Sequence, residues 1–334
     1  MMDAQSPDND FRPTAPWEIL RLRAALLEEF RQFFKERGFL EVETPLLSHD
    51  TVVDRHLDPF SVFDVERPEE IQPNTPRYYL QTSPEFGMKR LLASGGPGAI
   101  YQITRAFRRG EIGHLHNPEF TIVEWYRVGD DYQSGMELLA DLAERILKSG
   151  RPTICTYSEV FQDAVGIHPL EASGSQLQGV ARFLGIVWPE SLAVEDRDGW
   201  LDLLWSECVQ PRLGHDRPVI VCDYPASQAA LAVVRTDTPP VAERFELFFR
   251  GVELANGYHE LRDPEELRRR IRASNAQRIS DGKSPLPEES RLLRAMEHGL
   301  PPCVGVALGF DRVVMLRAGA HSLREVLAFP FDIA

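Results

Sequence analysis

Cysteine is scarce in this sequence, and the common signatures of nucleotide-binding and nucleophilic enzymes are missing from it. The four cysteines are spread over 334 residues, with no Cys-x-x-Cys pair and no histidine at ligand spacing: Cys155, Cys208, Cys222 and Cys303. Neither a disulfide framework nor a zinc site is therefore indicated. There is also no Walker loop, no Rossmann fingerprint and no Gly-x-Ser-x-Gly elbow, so any use of ATP would depend on arginine side chains.

Long apolar runs are also absent. No segment has the uninterrupted apolar length of a membrane span, and residues 1–13 are polar and lack the apolar centre of a signal peptide. We therefore expect a soluble, cytoplasmic protein without membrane association.

Positive charge is outnumbered by negative charge. The 37 basic and 51 acidic side chains give a formal net charge of −14, whereas proteins that bind a nucleic-acid backbone usually present a basic field. The richest basic patches are Lys89 and Arg90 together with residues 105–109, and residues 268–272, of which the second is typical of a solvated helix face. The charge balance disfavours a large RNA-binding surface and leaves a small one open.

Hydrophobic residues make up 43% of the sequence, enough for a sizeable core, and their spacing predicts both helices and strands. A 3.6-residue period predicts helices at residues 16–37, 133–148, 197–209, 264–278, 287–298 and 311–316. Alternation and β-branched or aromatic residues predict strands at residues 40–43, 78–81, 99–103, 120–126, 218–223, 230–234 and 245–254. Because the strands follow one another in pairs with tight turns, we expect an α+β fold with an antiparallel sheet flanked by helices. We expect one domain at residues 16–334, with a helical insertion at about 166–210, after a short disordered segment at residues 1–15.

Two of the predicted strands combine carboxylates with phenol groups. In residues 120–126, period two places Glu124 and Tyr126 on one face, and Asn256, Tyr258 and Glu260 share a side after the second acidic segment. Buried carboxylates are costly unless they are paired, so Glu124, Glu246, Glu253 and Glu260 together imply an ammonium ligand, Mg²⁺, or both. Taken singly, each has roughly even odds of being an ordinary exposed strand residue.

Arginines and glycines define two further segments. Arg105, Arg108 and Arg109 precede a turn through Gly110 and Gly113, and the arginine fork suits phosphate or carboxylate. Residues 305–312 form a glycine-punctuated apolar strand that runs into a helix. By itself, the first is more typical of a solvated loop and the second of a buried strand.

Taken in order, these segments resemble the three signature motifs of class II aminoacyl-tRNA synthetases, in the lysyl branch. Motif one corresponds to residues 38–45, motif two to residues 107–120 and motif three to residues 309–312, while residues 82–85 match a lysyl-branch substrate signature. The resemblance covers residue 16 to the C-terminus. It implies a six- or seven-stranded antiparallel sheet and a homodimer formed through motif one.

Lysyl-tRNA synthetases have an anticodon-reading OB domain before motif one, whereas only about fifteen residues precede it here, so we expect that domain to be missing. The arrangement is similar to that of the elongation factor P lysine ligases, which attach lysine or (R)-β-lysine to a lysine side chain of elongation factor P. Ala307 stands where tRNA-charging enzymes have glycine, and one methyl could reshape the pocket. The resemblance therefore implies elongation factor P as the partner and makes tRNA binding unlikely.

The resemblance also implies the residues that bind ATP. Arg108 would bridge the substrate carboxylate and the α-phosphate, Arg312 would hold the γ-phosphate and stack over the adenine, and Phe120 would cover the other adenine face. Gly110 stands where the synthetases have their adenine-reading glutamate, and Glu111 is the expected substitute. The implied ATP-binding set is Arg108, Arg109, Gly110, Glu111, His116, Asn117, Phe120, Glu253, Leu254, Gly309 and Arg312. Among these, the implied catalytic residues are Arg108, Arg312 and Glu253.

Metal and amino-acid ligands follow in the same way. The resemblance implies that Glu246 and Glu253 bind Mg²⁺. Glu85 would bind the amino group nearer the carboxylate, while Glu124, Tyr126 and Glu260 would bind the distal ammonium. The implied substrate set is Ser83, Pro84, Glu85, Glu124, Tyr126, Asn256, Tyr258, Glu260 and Ala307.

The expected reaction is formation of an aminoacyl adenylate from ATP, followed by transfer to a protein lysine. One alternative is a non-catalytic, synthetase-like protein that binds lysine or adenylate and regulates another process. Two others are residual lysyl-tRNA synthetase activity and amidation of aspartate by ammonia. The choice between lysine and (R)-β-lysine, the docking surface for the acceptor and the base that deprotonates the acceptor stay open.

Overall fold

The computed structural model describes residues 11–63 and 78–334. The described α-helices are α1 (Trp17–Glu36), α2 (Glu85–Ala93), α3 (Tyr132–Leu147), α4 (Tyr157–Val165), α5 (Gly174–Phe183), α6 (Arg197–Leu204), α7 (Pro264–Ser280), α8 (Arg291–Gly299) and α9 (Phe310–Ala318). The described strands are β1 (Leu40–Glu41), β2 (Leu47–Ser48), β3 (Ser61–Val62), β4 (Tyr78–Leu80), β5 (Ala99–Phe107), β6 (Glu119–Val128), β7 (Thr153–Thr156), β8 (Val219–Pro225), β9 (Val234–Arg235), β10 (Val241–Phe249), β11 (Val252–His259) and β12 (Cys303–Gly309).

Most predicted helices are present, and their ends have the expected local causes. Pro16 precedes the first turn of α1, and Gly38 has a φ of +73° just after it, a conformation that costs glycine little. Helices α2 and α4 lie outside the predicted helical segments, whereas α5 lies within the helical insertion expected at about 166–210. In α4, a capping box at Thr156 satisfies the N-terminal amide groups, although the helix has only nine residues.

The predicted strand at residues 245–254 is wrong as a single element. Two antiparallel strands, β10 and β11, lie there, and they are joined by Arg250 and Gly251 with φ of 52° and 74°. Positive φ at both central residues is what a tight hairpin turn requires. The sequence obscures this hairpin because an arginine occupies the first left-handed position.

The larger sheet of the described chain has nine strands, not the six or seven expected. The difference lies mainly in β1, β7 and β9, which have only two to four residues each. Of these, β7 lies outside the predicted strand segments, whereas β1 and β9 overlap those at residues 40–43 and 230–234. The sheet is also mixed, because β1 pairs with β5 and β7 pairs with β8 in parallel. The α+β class with helices flanking a large sheet is confirmed.

Two compact units are distinguished within the chain. Unit one comprises the described parts of Met1–Trp125, Asp263–Leu300 and Gly309–Ala334. It contains strand order β1-β5-β6 and the small sheet β2-β4-β3. Its aromatic core joins α1 to its neighbours, with the Phe34 ring 4.4 Å from Tyr101 and 5.4 Å from Trp125 between centroids.

The N-terminal segment predicted at residues 1–15 is only partly described. Residues 1–10 lie outside the described part of the chain. Further on, Ala15 is buried, and Thr14 donates its hydroxyl to the carbonyl of Leu327 at 2.8 Å. The end of this segment is therefore packed within unit one.

Unit two comprises Tyr126–Arg262 and Pro301–Leu308. Its strand order is β12-β11-β10-β8-β7, with β9 paired to β10. Helix α3 packs on β10 and β11, and α4 packs on β8. The helical region predicted at about 166–210 contains α5 and α6, and its core includes Trp205 stacked on Tyr157 at 4.5 Å. Across the described residues, no helix is long and apolar enough to cross a membrane.

Candidate functional site

In unit one, the start of α2 organises two carboxylates. The Ser83 hydroxyl donates to Glu124 Oε2 at 2.7 Å and accepts from the Glu85 amide at 3.0 Å. One turn later, Lys89 Nζ lies 2.5 Å from Glu85 Oε1, and the whole lysine is buried. Pro84 is the residue that precedes the helix. This segment therefore fixes Glu85 and Glu124 through the helix cap and an internal ion pair.

Arg108 lies between a backbone carbonyl, a ring and a carboxylate. Its Nε donates to the carbonyl of Thr82 at 3.4 Å, and its guanidinium carbon is 4.9 Å from the centroid of Phe120. The Glu111 carboxylate is 3.8 Å from Arg108 Nη1, which places the expected substitute for the adenine-reading glutamate beside this arginine. These contacts orient the planar guanidinium beside an aromatic surface.

The neighbouring turn is tied to a loop earlier in the chain. The amide of Arg109 donates to the carbonyl of Asp58 at 2.7 Å, and Gly110 has a φ of +85°. Asp58 also accepts from the buried Arg278 at 2.8 Å. The left-handed conformation at Gly110 favours glycine, which gives a backbone reason for the residue that stands in place of the synthetase glutamate.

Arg312, in the first turn of α9, contacts the same turn region. It donates to the carbonyl of Leu115 at 3.2 Å and lies 2.9 Å from His116 Nε2. Desolvation and the charge of Arg312 lower the pKa of His116, so the imidazole is neutral near pH 7 and can accept from the guanidinium. Gly309 caps this helix.

Residue Asn117, assigned by resemblance to the triphosphate region, has local partners. Its amide nitrogen donates to the carbonyl of Glu119 at 2.6 Å, and its amide oxygen accepts from the Phe331 amide at 3.0 Å. Both ends of the side chain thus hold backbone segments together.

In unit two, strand register places several site residues on one face. Glu246 is opposite Asn256, which is opposite Ala307, and Tyr258 is opposite Gly305. The register of β10 and β11 shifts between Leu247 and Phe248, so that Phe248 pairs with Glu253 and Leu254 is the extra residue. This bulge brings Glu253 to the face of Glu246 and Asn256, despite the odd spacing from Asn256.

The Glu246 carboxylate is buried and has two partners. Tyr224 donates its hydroxyl to Oε2 at 2.6 Å, and the Arg244 guanidinium binds Oε1. Burial raises the pKa of Glu246; Arg244 opposes the rise, and the charge of Glu253 adds to it. A cation near Glu246 and Glu253 would relieve this repulsion.

The residues present fit Mg²⁺ held together with a nucleotide. No group of three or more histidine, cysteine, aspartate or glutamate side chains suited to a metal lies in the described part of the chain. Mg²⁺ commonly takes one or two protein carboxylates, and substrate phosphates and water complete its coordination. Glu246 and Glu253 supply two carboxylates, as that mode of binding requires.

Polar and small residues line the strand face that carries Glu246 and Asn256. Asn256 donates to the Tyr258 hydroxyl at 3.0 Å, while its buried Oδ1 has no hydrogen-bond partner among the described residues. Ala307 is only half-buried, whereas the flanking Val306 and Leu308 are buried. Tyr126 and Glu260 are both buried and lie against Gly305.

Several site residues were not predicted from sequence. Lys89 was assigned to a basic patch, which is wrong, because it is buried and paired with Glu85. Its position four residues after Glu85 on a helix was the available signal. Asp311 was also missed: it lies 2.5 Å from Arg23 and accepts from the Thr121 amide at 2.8 Å. Tyr224 and Arg244 were missed as well: the position of Arg244 two residues before Glu246 in β10 was an available signal, whereas Tyr224 had none, because the register of β8 against β10 shifts at a bulge.

The arginine and glutamate side chains described above can bind anionic and cationic groups, respectively. Arg108 and Arg312 offer oriented guanidinium groups to phosphate or carboxylate, while Glu246 and Glu253 suit a cation. Glu85, Glu124 and Glu260 are buried carboxylates that suit ammonium groups. Oriented charges of both signs are suited to binding an amino acid and a nucleotide.

Comparison with known proteins shows which family this sequence resembles. A family model described as tRNA synthetases class II (D, K and N) matches residues 9–333. A Vibrio vulnificus protein named elongation factor P–(R)-β-lysine ligase is 48% identical, over 97% of this chain and 99% of its own. Proteins of the same name from Vibrio cholerae and Klebsiella pneumoniae are 46% and 45% identical, over 98% and 97% of this chain and 99% and 98% of their own. The relationship expected from the motifs is confirmed.

Proposed function

Because the chain belongs to the family of class II tRNA synthetases (D, K and N), we propose that it is an ATP-dependent ligase that modifies elongation factor P. The supporting observation is its similarity, over nearly the whole chain, to proteins named elongation factor P–(R)-β-lysine ligase. The proposed substrate is (R)-β-lysine or lysine, and the proposed acceptor is a lysine side chain of elongation factor P.

We assign nucleotide binding to the arginine groups of unit one. Arg108 bridges the substrate carboxylate and the α-phosphate, and Arg312 binds the γ-phosphate. Phe120 and Arg312 cover the adenine, and Glu111 contacts its edge in place of a glutamate at Gly110. The placement of Arg108 beside Phe120, and of Arg312 beside a neutral His116, supports these roles. The remaining nucleotide contacts are assigned to Arg109, Asn117, Leu254 and Gly309.

We assign the substrate ammonium groups to the carboxylates. Glu85 binds the amino group nearer the carboxylate, and Glu124 and Glu260 bind the distal ammonium with Tyr126. The remaining substrate contacts are assigned to Ser83, Pro84, Asn256, Tyr258 and Ala307. Burial of Glu124 and Glu260 supports this assignment, since a bound ammonium offsets the cost of a buried carboxylate.

Glu246 and Glu253 are the proposed Mg²⁺ ligands. When bound, Mg²⁺ supplies positive charge that stabilises the phosphate oxygens. Tyr224 and Arg244 keep Glu246 oriented; burial, followed by the charge of Glu246, raises the pKa of Tyr224 well above its usual value, which keeps it a hydrogen-bond donor.

The proposed reaction has two steps. First, a carboxylate oxygen of the substrate attacks the α-phosphorus of ATP and forms a P–O bond to it. The bond from the α-phosphorus to the oxygen bridging to the β-phosphate breaks, and pyrophosphate leaves with the electrons of that bond. Second, the neutral amine of the acceptor lysine attacks the adenylate carbonyl, AMP leaves, and the amine loses a proton as the amide forms. Arg108 and Arg312 contribute by orienting the reactants and stabilising charge on the phosphates.

The proposed setting is a homodimer in the cytoplasm that interacts with a translation factor and not with tRNA. Residues 38–45 are the proposed dimer segment. Leu40 in this segment, and Leu46 and Leu47 directly after it, are exposed, which supports this, because groups of large exposed apolar side chains often mark an interface.

Amino-acid-dependent exchange of labelled pyrophosphate into ATP tests the activation step. The purified protein with Mg²⁺ should catalyse exchange with (R)-β-lysine or lysine, and not with aspartate. Lysine binding without exchange would instead favour a regulatory protein, and exchange with aspartate would contradict the proposed substrate class. Aminoacylation of tRNA-Lys in the same preparation would favour a synthetase.

A further inference from the structure

Adjacent residues of β12 face different surroundings in unit two. Val304 points toward α3, where a Cβ added at Gly135 would lie 2.3 Å from Val304 Cγ1. Gly305, the next residue, is opposite Tyr258 in the strand register. Since successive strand residues point to opposite faces, Gly305 lies on the face with Ala307, Asn256 and Tyr258.

Two buried polar residues occupy the space that a side chain at Gly305 would fill. A Cβ built there would lie 2.2 Å from Tyr126 Cε1 and 2.3 Å from Glu260 Oε1. Distances below 3.0 Å are essentially never found for a real Cβ. The Tyr126 ring edge and the Glu260 carboxylate therefore occupy the space that any other residue would fill.

The reason for glycine at this position is steric and not conformational. Gly305 lies in a regular strand and does not have the positive φ found at residues such as Gly251. Alanine could adopt the same backbone conformation, so its methyl group would act only by displacing Tyr126 and Glu260. Both residues are at most 3% exposed, so a methyl group at position 305 would have to displace them within a packed interior.

We propose that Gly305 is a specificity-determining residue that sets how long a diamino acid this protein accepts. This inference rests on the proposed function, in which Glu260 and Tyr126 bind the distal ammonium. Without a Cβ at Gly305, the two groups lie against the backbone of β12 and leave space for the full side chain of lysine or (R)-β-lysine. Ala307, on the same face, is a separate position opposite Asn256.

A methyl group at position 305 has a defined consequence. It moves the end of the pocket by about one methylene toward the substrate, because the displaced groups are those that contact the distal ammonium. Discrimination by one methylene is commonly about 10- to 200-fold in catalytic efficiency. Gly305→Ala should therefore disfavour lysine and favour a diamino acid one methylene shorter.

The experiment compares pyrophosphate exchange by the wild-type protein and G305A with 2,4-diaminobutyrate, ornithine, lysine and (R)-β-lysine. We expect kcat/KM for lysine to fall by about 30-fold, the ratio of ornithine to lysine to rise at least about tenfold, and the KM for ATP to stay unchanged. Equal loss with all four amino acids, or an unchanged ratio, would overturn the proposal.

Matched glycine variants separate specificity from folding. G135A places its methyl group against Val304 at a similar distance, so it should lower the melting temperature without changing the ornithine-to-lysine ratio. G179A, with no atom within 4 Å of the added Cβ, should leave the ratio unchanged and should not lower the melting temperature, because alanine favours a helix interior more than glycine does. A G135A variant with the same ratio change as G305A would show a general packing effect and would overturn the proposal.

A second pair of variants tests the proposal if G305A alone does not fold. Tyr126→Val removes the ring atoms that clash, so G305A can be compared in the Tyr126→Val background with Tyr126→Val alone. Glu260 is still displaced, so the ratio should again rise toward ornithine, and an unchanged ratio would overturn the proposal. If the wild-type protein exchanges with none of the four amino acids, the proposed function fails instead; calorimetric binding of lysine and ornithine then tests the pocket length independently.

Discussion

Arg108 of unit one and Glu246 of unit two differ in how closely an opposite charge approaches them. Arg108 and Arg312 donate to the carbonyls of Thr82 and Leu115, beside a ring and an imidazole. Glu246, by contrast, is bound directly by the guanidinium of Arg244 and by a phenol. The Thr82 carbonyl orients Arg108 without cancelling its charge, and the Glu111 carboxylate approaches this arginine only to 3.8 Å, whereas the buried Glu246 carboxylate requires a donor and a counter-ion in direct contact.

This difference indicates how each region combines stability with function. The arginines stay partly exposed and retain their charge for a phosphate, so their loss should affect catalysis more than folding. Glu246 is part of a buried ion pair, so its loss should affect folding directly. The predictions below test this distinction.

The largest effect is expected for Arg108→Ala. Loss of an oriented cation at the phosphate should reduce pyrophosphate exchange by at least about a thousandfold, with little change in melting temperature. Arg105→Ala is the matched control, since Arg105 lies three residues before Arg108, near the end of β5, is exposed and is 3.6 Å from Glu119. Near-normal exchange by Arg108→Ala, or an equal loss in the control, would contradict the assignment.

Glu246→Ala and Glu253→Ala compare two proposed Mg²⁺ ligands. Breaking a buried pair typically costs about 3–5 kcal/mol, so Glu246→Ala should lower the free energy of unfolding by that amount. Glu253 is half-buried, and its replacement should cost less than about 1 kcal/mol while still raising the Mg²⁺ concentration needed for exchange. Urea unfolding and Mg²⁺ titration measure the two effects, and equal destabilisation by both variants would remove the distinction.

Lys89→Met tests the support of Glu85 in unit one. Without its lysine partner, the Glu85 carboxylate loses its fixed position, so the KM for the amino acid should rise about tenfold while the KM for ATP changes little. Arg90→Met, at the exposed neighbouring position, should leave both constants unchanged. A matching rise in both KM values would indicate a general loss of structure.

A smaller effect on stability is expected when the pH is lowered through the pKa of Asp58. Desolvation raises the pKa of Asp58, but the hydrogen bond from Arg278 and the charge of Lys283 outweigh it and lower the pKa below 3.8. The carboxylate therefore stabilises the fold above its unfolded pKa, and this contribution is lost as pH falls through the lower folded pKa. Between pH 5 and about 2, Asp58→Asn should lose less stability than the wild type. If the free energy of unfolding fell equally with pH in Asp58→Asn and in the wild type, this role of Asp58 would be contradicted.

Much of the site could be predicted because side chains alternate between the two faces of a strand, and this pattern can be read from neighbouring residues alone. Parity placed Glu124 and Tyr126 on one side of β6, and the motif resemblance assigned Arg108 and Arg312 before any geometry was known. The family and the ligase function were predicted in the same way and are confirmed. The roles of the individual residues stay predictions.

The remaining features depend on bulges and long-range pairing. The sequence contains no local signal that Leu254 is an extra residue in the ladder, so the shared face of Glu253 and Glu246 could not be derived. Lys89 looked like a surface cation because its burial depends on packing by residues distant in sequence. Gly305 similarly looked like an ordinary strand glycine until Tyr126 and Glu260 were placed against it.

The most direct test of the central claim is the intact mass of elongation factor P after incubation with this protein, Mg-ATP and (R)-β-lysine or lysine. The account predicts a gain of one lysyl unit on one lysine side chain, dependent on ATP and absent with Arg108→Ala. An unchanged mass with both amino acids, in a preparation that catalyses pyrophosphate exchange, would contradict elongation factor P as the acceptor.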